Sequence, residues 1–164
     1  MPKVHVVLDS LDRKILGEMS RNSEITFSHL GEIAGLSAPA THERVKKLKA
    51  NGFIRGQVAL LDSTKVGKPL LAFVHIVTKG WGKSPELMSL QSFPEIEEIH
   101  SVAGDACLLL KVRVASSLSL EGVLAKIYKM PGVVGTKSYI VLSTYLERTT
   151  QAEISKGLEP TEVA

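Results

Sequence analysis

Residues 37–54 read S-A-P-A-T-H-E-R-V-K-K-L-K-A-N-G-F-I and carry the signals of one short helix with both of its ends marked. Ser37 suits the N-cap because its hydroxyl can accept a hydrogen bond from a free backbone N–H group, and Pro39 suits the first turn, where its missing N–H costs nothing. Gly52 can adopt the left-handed conformation that ends a helix. We therefore expect a helix between Ser37 and Asn51.

The two faces of this helix differ in charge. Thr41, Val45 and Leu48 fall at helical spacing and form a narrow inward stripe. Between residues 42 and 55 there are five Lys or Arg residues and one acid. The predicted outward face consists of His42, Arg44, Lys46, Lys47 and Lys49. A basic helix face can simply be solvated, so its meaning depends on what precedes it.

A second short helix is predicted immediately upstream, in I-T-F-S-H-L-G-E-I-A-G-L-S over residues 25–37. Thr26 can cap it and Gly35 can end it, since that turn is too tight for most side chains. Two short helices joined by such a turn form a helix-turn-helix, whose second helix enters the DNA major groove through its N-terminal residues. A structural corner is the alternative, and the basic bias of the second helix favours DNA binding. The apolar positions at helical spacing are Phe27, Leu30, Ile33 and Ala34.

A third helix is predicted at the start, after residues 1–7, which we expect to lack regular structure. Asp9 can cap this helix, with Asp12 in a position that resembles a capping box. It should end near Arg21. Three helices in about 45 residues bury little surface alone. We therefore expect a partner subunit or flanking segments to bury more of their surface. The predicted apolar face consists of Leu11, Ile15, Leu16 and Met19.

The second half of the chain changes to the pattern of strands. The order β-α-β-β-α-β predicts a ferredoxin-like fold. The predicted elements are strand 70–78, a break at Gly80-Trp81-Gly82, helix 85–93, strand 96–102, turn 103–105, strand 107–114, a helix capped by Ser116 or Ser117 and running through Lys129, and strand 133–145. The last helix should turn Leu120, Val123, Leu124, Ile127 and Tyr128 inward. The predicted organisation is 1–52 for DNA binding, 53–69 as a linker with a strand at 53–61, 70–150 as the sheet domain and 151–164 as a tail.

The first strand of this sheet is apolar on both faces. Leu71, Phe73 and Val77 oppose Ala72, Val74 and Ile76. Helices cover one face of a four-stranded sheet, so the second face needs another cover. A second subunit's sheet is the simplest cover, which predicts a homodimer.

Composition excludes several classes of protein. The 164 residues carry a net charge of +3, a mildly basic balance, and include one cysteine, Cys107, so no disulfide framework exists. No signal peptide and no apolar run of about 18 residues is present, which predicts a protein without a membrane span. We expect a cytoplasmic, nucleoid-associated protein.

Sites for metal or catalysis are not apparent in the sequence. None of the five histidines pairs with Cys, Asp or another His at ligand spacing. No G-x-S-x-G motif occurs, and Cys107 lies in an apolar stretch without a basic neighbour. Residues 80–84 lack the spacing of a phosphate loop, and aromatic residues, at 5% of the chain, are too few for an RNA-stacking sheet. We therefore expect no enzyme, no metal and no cofactor.

The turn at Gly104-Asp105 has two readings. A glycine allows close approach of a small molecule, and Asp105 could pair with an ammonium group. A plain β-turn is the interpretation that spacing alone favours, because Gly-Asp is common turn chemistry.

Together these residues resemble the Lrp/AsnC (leucine-responsive, feast/famine) transcription regulators over roughly residues 8–150. The matching residues are Leu8-Asp9 with Asp12, Leu36-Ser37, Arg44-Val45, Leu48, Gly52-Phe53-Ile54, Gly67, Gly104-Asp105 and Pro131-Gly132-Val133. The resemblance implies an α+β protein with an N-terminal winged-type helix-turn-helix domain and a C-terminal ferredoxin-like βαββαβ domain, the RAM domain. It also implies homodimers that assemble into octamers or related rings, and an amino-acid effector bound between dimers near the Gly104 turn.

Two departures from the family pattern concern the linker and the effector. Gln57 stands where many members carry an aromatic residue. Cys107 and Leu108 stand where many members have a second acid and an aromatic, so the effector's identity, and whether one binds, stays open.

The resulting hypothesis is a sequence-specific, double-stranded-DNA-binding transcriptional regulator modulated by an amino acid or similar small effector. The DNA-binding residues are Ser37, Ala38, Pro39, His42, Arg44, Lys46 and Lys47. The effector-binding residues are Ser101, Gly104, Asp105 and Ala106. The alternative is a small-molecule-sensing ferredoxin-like module or metabolic enzyme subunit that does not bind DNA.

Overall fold

A computed structural model describes residues 7–79 and 84–155 of the chain. These residues form two compact units, one made of the residues up to Ala59 with those from Leu146 onward, and the other of Leu60–Tyr145. Most of the start predicted to be loose, the predicted Gly80-Trp81-Gly82 break and the end of the predicted tail lie outside the described residues.

The helical unit has the three predicted helices: α1 (Ser10–Arg21), α2 (Phe27–Ala34) and α3 (Ala38–Ala50). Asp9, Thr26 and Ser37 cap them, each accepting a hydrogen bond from the backbone N–H three residues on. Asp12 returns a bond to the Asp9 N–H, which completes the capping box. Gly35 adopts a left-handed φ of 71° and sets the tight turn between α2 and α3. Their shared core consists of Ile15, Leu30, Ala34, Val45 and Leu48.

The end of the described chain packs against α1. In this return segment, residues 146–155, the carbonyl of Ala152 accepts a hydrogen bond from Nη1 of Arg13 at 2.9 Å. Glu153 forms an ion pair with Arg21 at the other end of the helix. Residues 151–155, predicted as part of a tail, therefore belong structurally to the helical unit, and the predicted sheet-domain limit at residue 150 differs from the observed boundary at Leu146.

The second unit is a four-stranded antiparallel sheet in the order β2-β3-β1-β4, with its helices packed on one face. Its elements are β1 (Leu70–Thr78), α4 (Pro85–Met88) followed by a 3₁₀ turn (Ser89–Ser92), β2 (Ile96–Ser101), β3 (Leu108–Val114), α5 (Ser117–Tyr128) and β4 (Val133–Ile140). The core between helices and sheet consists of Ala72, Val74, Ile76, Leu87, Leu90, Leu108, Leu110, Val112, Val114, Leu120, Val123 and Ile127.

The two faces of β1 differ in burial. Ala72, Val74 and Ile76 are fully buried beneath the helices. On the opposite face, Phe73 and Val77 each keep 36% of their surface exposed. A single chain therefore covers one face of its sheet and leaves apolar side chains on the other.

The strand predicted at 53–61 is not formed. Residues 53–61 are all described, and none of them is assigned to a strand or to a wing of the helix-turn-helix. Among residues 7–79 and 84–155 the segment has no neighbouring strand, and a strand needs one to satisfy its backbone groups. Its apolar residues Val58, Leu60 and Leu61 are more than two-thirds exposed.

Other details also differ from the prediction. The helix predicted at 85–93 tightens into a 3₁₀ turn after Met88. The last strand ends at Ile140 rather than Tyr145, because its partner β1 begins at Leu70. Cys107 precedes β3, and Tyr128, predicted to face inward, is 54% exposed.

Candidate nucleic-acid interface and effector turn

The N-terminal turn of α3 presents small side chains. The Ser37 hydroxyl accepts a hydrogen bond from the Ala40 N–H at 3.4 Å, so its structural task is to cap the helix. Pro39 is exposed and Ala38 is half-buried. A partner with a flat or grooved surface can therefore approach the start of this helix closely.

The exposed face of α3 is cationic. Thr41, Val45 and Leu48 are buried, as predicted, which directs Lys46 and Lys47 outward. The Lys46 side chain is 70% exposed, and its nearest acid, Glu43, lies at 4.0 Å. An ion pair with such exposed groups and such a long separation contributes little to stability, so the charge of Lys46 remains available to an anionic partner.

Arg44 differs from its basic neighbours. Its Nη1 donates to Asp9 Oδ2 at 2.8 Å and to Asp12 Oδ1 at 2.7 Å. Both carboxylates belong to the capping box of α1. Arg44 therefore joins α3 to the start of α1, and two carboxylates neutralise its positive charge.

An aromatic contact joins α2 to α3. The rings of Phe27 and His42 lie 4.9 Å apart between centroids and meet at 79°, edge to face. Phe27, predicted to lie on an apolar face, is 38% exposed. No sequence pattern indicates this pair, because the two residues approach only when α2 and α3 pack together.

The predicted effector turn connects β2 to β3. Gly104 has a φ of 152°, and a side chain built there would meet no atom within 4 Å. Ser101 ends β2, Asp105 is exposed, and Ala106 is 5% exposed. The turn therefore presents one carboxylate and an open glycine backbone.

Lys137, on β4, is a cation whose pKa responds to the charge of this turn. Lys137 lies with its Nζ 5.3 Å from the centroid of the Tyr139 ring. The pKa of Lys137 is raised above its usual value, chiefly by its interaction with the Tyr139 side chain and in smaller part by the negative charge of Asp105. The turn region therefore holds charges of both signs.

Two family descriptions match the chain, "AsnC-type helix-turn-helix domain" over residues 8–49 and "Lrp/AsnC ligand binding domain" over residues 72–151. The chain belongs to the Lrp/AsnC family. This agrees with the resemblance inferred from the sequence and with the α+β fold described above.

Named relatives of this Lrp/AsnC chain are transcriptional regulators. The HTH-type transcriptional regulator FL11 of Pyrococcus horikoshii is 33% identical over 146 residues, which cover 89% of this chain and 97% of the relative. The leucine-responsive regulatory protein of Haemophilus influenzae is 38% identical over 146 residues, covering 85% and 87%. This Lrp/AsnC protein is accordingly a transcriptional regulator with a DNA-binding helix-turn-helix.

Solved structures of similar proteins have the same fold. Escherichia coli AsnC has a TM-score of 0.80 at 29% identity, with 88% of this chain and 99% of that chain covered. A transcriptional regulator of Neisseria meningitidis, solved in complex with L-Met, has a TM-score of 0.82 at 26% identity, with 87% and 95% covered.

Over residues 7–79 and 84–155 no three His, Cys, Asp or Glu side chains group in a way that could hold a metal ion. In the same ranges no helix is long and apolar enough to cross a membrane.

The Arg44 contact predicts a pH-dependent loss of stability. Replacing Arg44 with Met keeps its aliphatic stem and leaves Asp9 and Asp12 without their shared cation. At pH 7 the free energy of unfolding should fall by about 1–2 kcal/mol, allowing for partial exposure to water. Urea unfolding of the full chain measures this, and Lys47→Met, an exposed cation removed from the same helix, is the control.

The pH dependence of this loss has a definite sign. The pKa of Asp9 is lowered below 3.8, first by its hydrogen bond from the Asp12 backbone N–H and then by Arg44. A lowered pKa in the folded state adds stability above the unfolded-state value and loses it as pH falls through the folded-state value. The difference between wild type and Arg44→Met should therefore be constant above about pH 5 and shrink below pH 3.8. An equal difference at pH 7 and pH 3 would show that Arg44 acts through packing alone.

Proposed function

We propose that this Lrp/AsnC protein binds double-stranded DNA sequence-specifically through the exposed face of α3, as a homodimer whose DNA affinity responds to an amino acid or similar small effector. It acts in the cytoplasm, on nucleoid DNA. The single observation that supports DNA contact best is the outward direction of Lys46 and Lys47 on a capped helix whose opposite face is buried.

The residues of α3 divide into two roles. Ala38, Pro39 and His42 lie toward the N-terminal end of the helix, the part that reads base edges in a helix-turn-helix. Lys46 and Lys47 contact phosphates, which gives affinity without sequence information. Ser37 caps the helix and Arg44 fastens it to α1. Direct DNA contact by these two residues, predicted from the sequence, stays a prediction.

The homodimer forms through the open face of the sheet. Phe73 and Val77 lie there partly exposed, and burial of this face against a second copy removes apolar surface from water. A twofold dimer presents two α3 helices to neighbouring major grooves, so the site is a pseudo-palindrome. Several dimers assembled as an octamer or related ring would bend or wrap the bound DNA.

A selection experiment tests the proposal. Full-length protein is incubated with random-sequence duplexes, and bound DNA is sequenced after several rounds. A pseudo-palindromic site should emerge, and His42→Ala should flatten the preference at specific base pairs while non-specific affinity is retained. Absence of any preferred sequence, together with amino-acid binding by calorimetry, would support the alternative of a sensing module that does not bind DNA.

The effector is expected to bind at the turn between β2 and β3. Asp105 is exposed and offers a carboxylate for the ammonium group of an amino acid. Ser101 and the Gly104 and Ala106 backbone complete the predicted set. Because neighbouring dimers meet here in this proposal, the bound effector shifts the assembly equilibrium.

Thermal unfolding with each of the twenty amino acids measures this binding. A ligand present at about 100 times its Kd stabilises the folded state by about 2.7 kcal/mol, so at least one amino acid should raise the Tm. Asp105→Asn should abolish that rise while Glu121→Asn, an exposed acid on α5, should keep it. A rise that survives Asp105→Asn would place the effector elsewhere.

A further inference from the structure

We propose that Phe27, on α2, is a specificity-determining positioning residue: it holds the His42 imidazole in the orientation in which that ring reads a base pair. The inference rests on the proposed DNA-reading role of α3 and deepens it. Phe27 itself reads no base in this proposal; it acts through His42.

Phe27 lies outside the buried core of its unit. The buried core consists of Ile15, Leu30, Ala34, Val45 and Leu48, and Phe27 is not among the partly buried apolar residues packed against it. It keeps 38% of its surface exposed as the first residue of α2. A large apolar side chain placed outside the core invites an explanation other than folding.

The contact that Phe27 makes is directional. The two rings meet at 79° with centroids 4.9 Å apart. This edge-to-face arrangement is one that aromatic quadrupoles favour over a stacked sandwich. The contact therefore restricts the direction in which the imidazole points, and does more than cover surface.

The other surroundings of His42 leave the ring free to turn. Phe27 and His42 line a shallow pocket of about 160 Å³ together with Val45, Lys46 and Lys49. On its own helix, the nearest acid is Glu43, with its Oε1 3.7 Å from Nδ1, beyond hydrogen-bonding distance. Since the pocket side is open, Phe27 is the neighbour that fixes the ring.

A fixed ring matters for recognition because binding otherwise has to immobilise it. Ordering one freely rotating side chain at an interface weakens binding by about 2- to 10-fold. A histidine already held in its reading orientation avoids that loss at its cognate base pair. For a mismatched base pair, a held ring cannot turn to find another hydrogen bond, so discrimination rises.

The test uses full-length variants and the site obtained by selection, with single-base-pair substitutions across it. Phe27→Leu keeps apolar bulk and removes the ring edge, whereas Phe27→Tyr keeps the ring. Dissociation constants for each duplex are measured for both variants, for His42→Ala and for Phe27→Leu combined with His42→Ala. The base pairs read by His42 are those whose discrimination His42→Ala flattens.

Phe27→Leu should lower discrimination at those base pairs by about 2- to 10-fold and leave affinity for unrelated DNA unchanged. Phe27→Tyr should retain the discrimination, and Phe27→Leu should have no further effect when His42 is already Ala. A uniform loss across all sequences, an unchanged preference, or an effect that persists in the His42→Ala background would overturn the inference. Failure of the proposed function is distinct, because wild type would then show no preferred site.

Discussion

Replacing Lys46 and Lys47 together with Ala should weaken binding to every DNA sequence and flatten its dependence on salt. Each lysine that contacts a phosphate releases about one counterion on binding, so the slope of log K against log salt should become less steep by about 2. Both side chains lie on the exposed face of α3, opposite its buried stripe. The loss is therefore electrostatic and should be shared by cognate and unrelated duplexes.

Fluorescence anisotropy between about 50 and 200 mM salt measures this slope, since phosphate-dominated affinities change by orders of magnitude over that range. The matched control is Lys65→Ala with Lys129→Ala, which lowers the net charge by the same amount using two exposed lysines outside the helical unit. The control should keep nearly the wild-type slope. A wild-type slope in the Lys46 and Lys47 variant would remove these residues from the phosphate-contacting set.

Replacing Phe73 with Glu should convert the proposed homodimer into a monomer. Phe73 lies on the face of β1 that the protein's own helices leave uncovered, and its neighbour on β3, Lys111, already has Glu97 and Glu98 as ion-pair partners. A carboxylate brought into a contact between two sheets would lose its hydration, and the lysine directly opposite it on β3 is already paired. The expected change is from a dimer at micromolar concentration to a monomer.

Size-exclusion chromatography with light scattering reads out the change directly. The matched control is Leu118→Glu, which places the same charge at an exposed apolar position of α5, on the helical side of the sheet. It should leave the dimer intact. A wild-type protein that is already monomeric at this concentration would contradict the sheet-to-sheet dimer. A Phe73→Glu variant that remains dimeric would show that the dimer contact lies on another surface.

The helical half of the fold was predictable because its signals are local. Ser37 and Gly35 act within a few residues of themselves, through a cap and a left-handed turn, and the structure has both. The prediction of a strand at 53–61 was wrong for the opposite reason. The apolar, extended character of this segment is local, but a strand also requires a neighbour that the described residues do not supply there.

The candidate site was predictable only in outline. The outward direction of Lys46 and Lys47 follows from helical spacing alone. The partners of Arg44 lie 35 and 32 positions away on α1, so its role in fastening two helices required the packed structure. The same holds for Phe27 and His42, whose meeting depends on the angle between α2 and α3.

The return of residues 146–155 to α1 means that the chain passes between its two units twice, once near Ala59 and again near Tyr145. The last described residues therefore act within the helical unit. They contact Arg13 and Arg21 on α1, the helix whose capping box also holds Arg44 of α3.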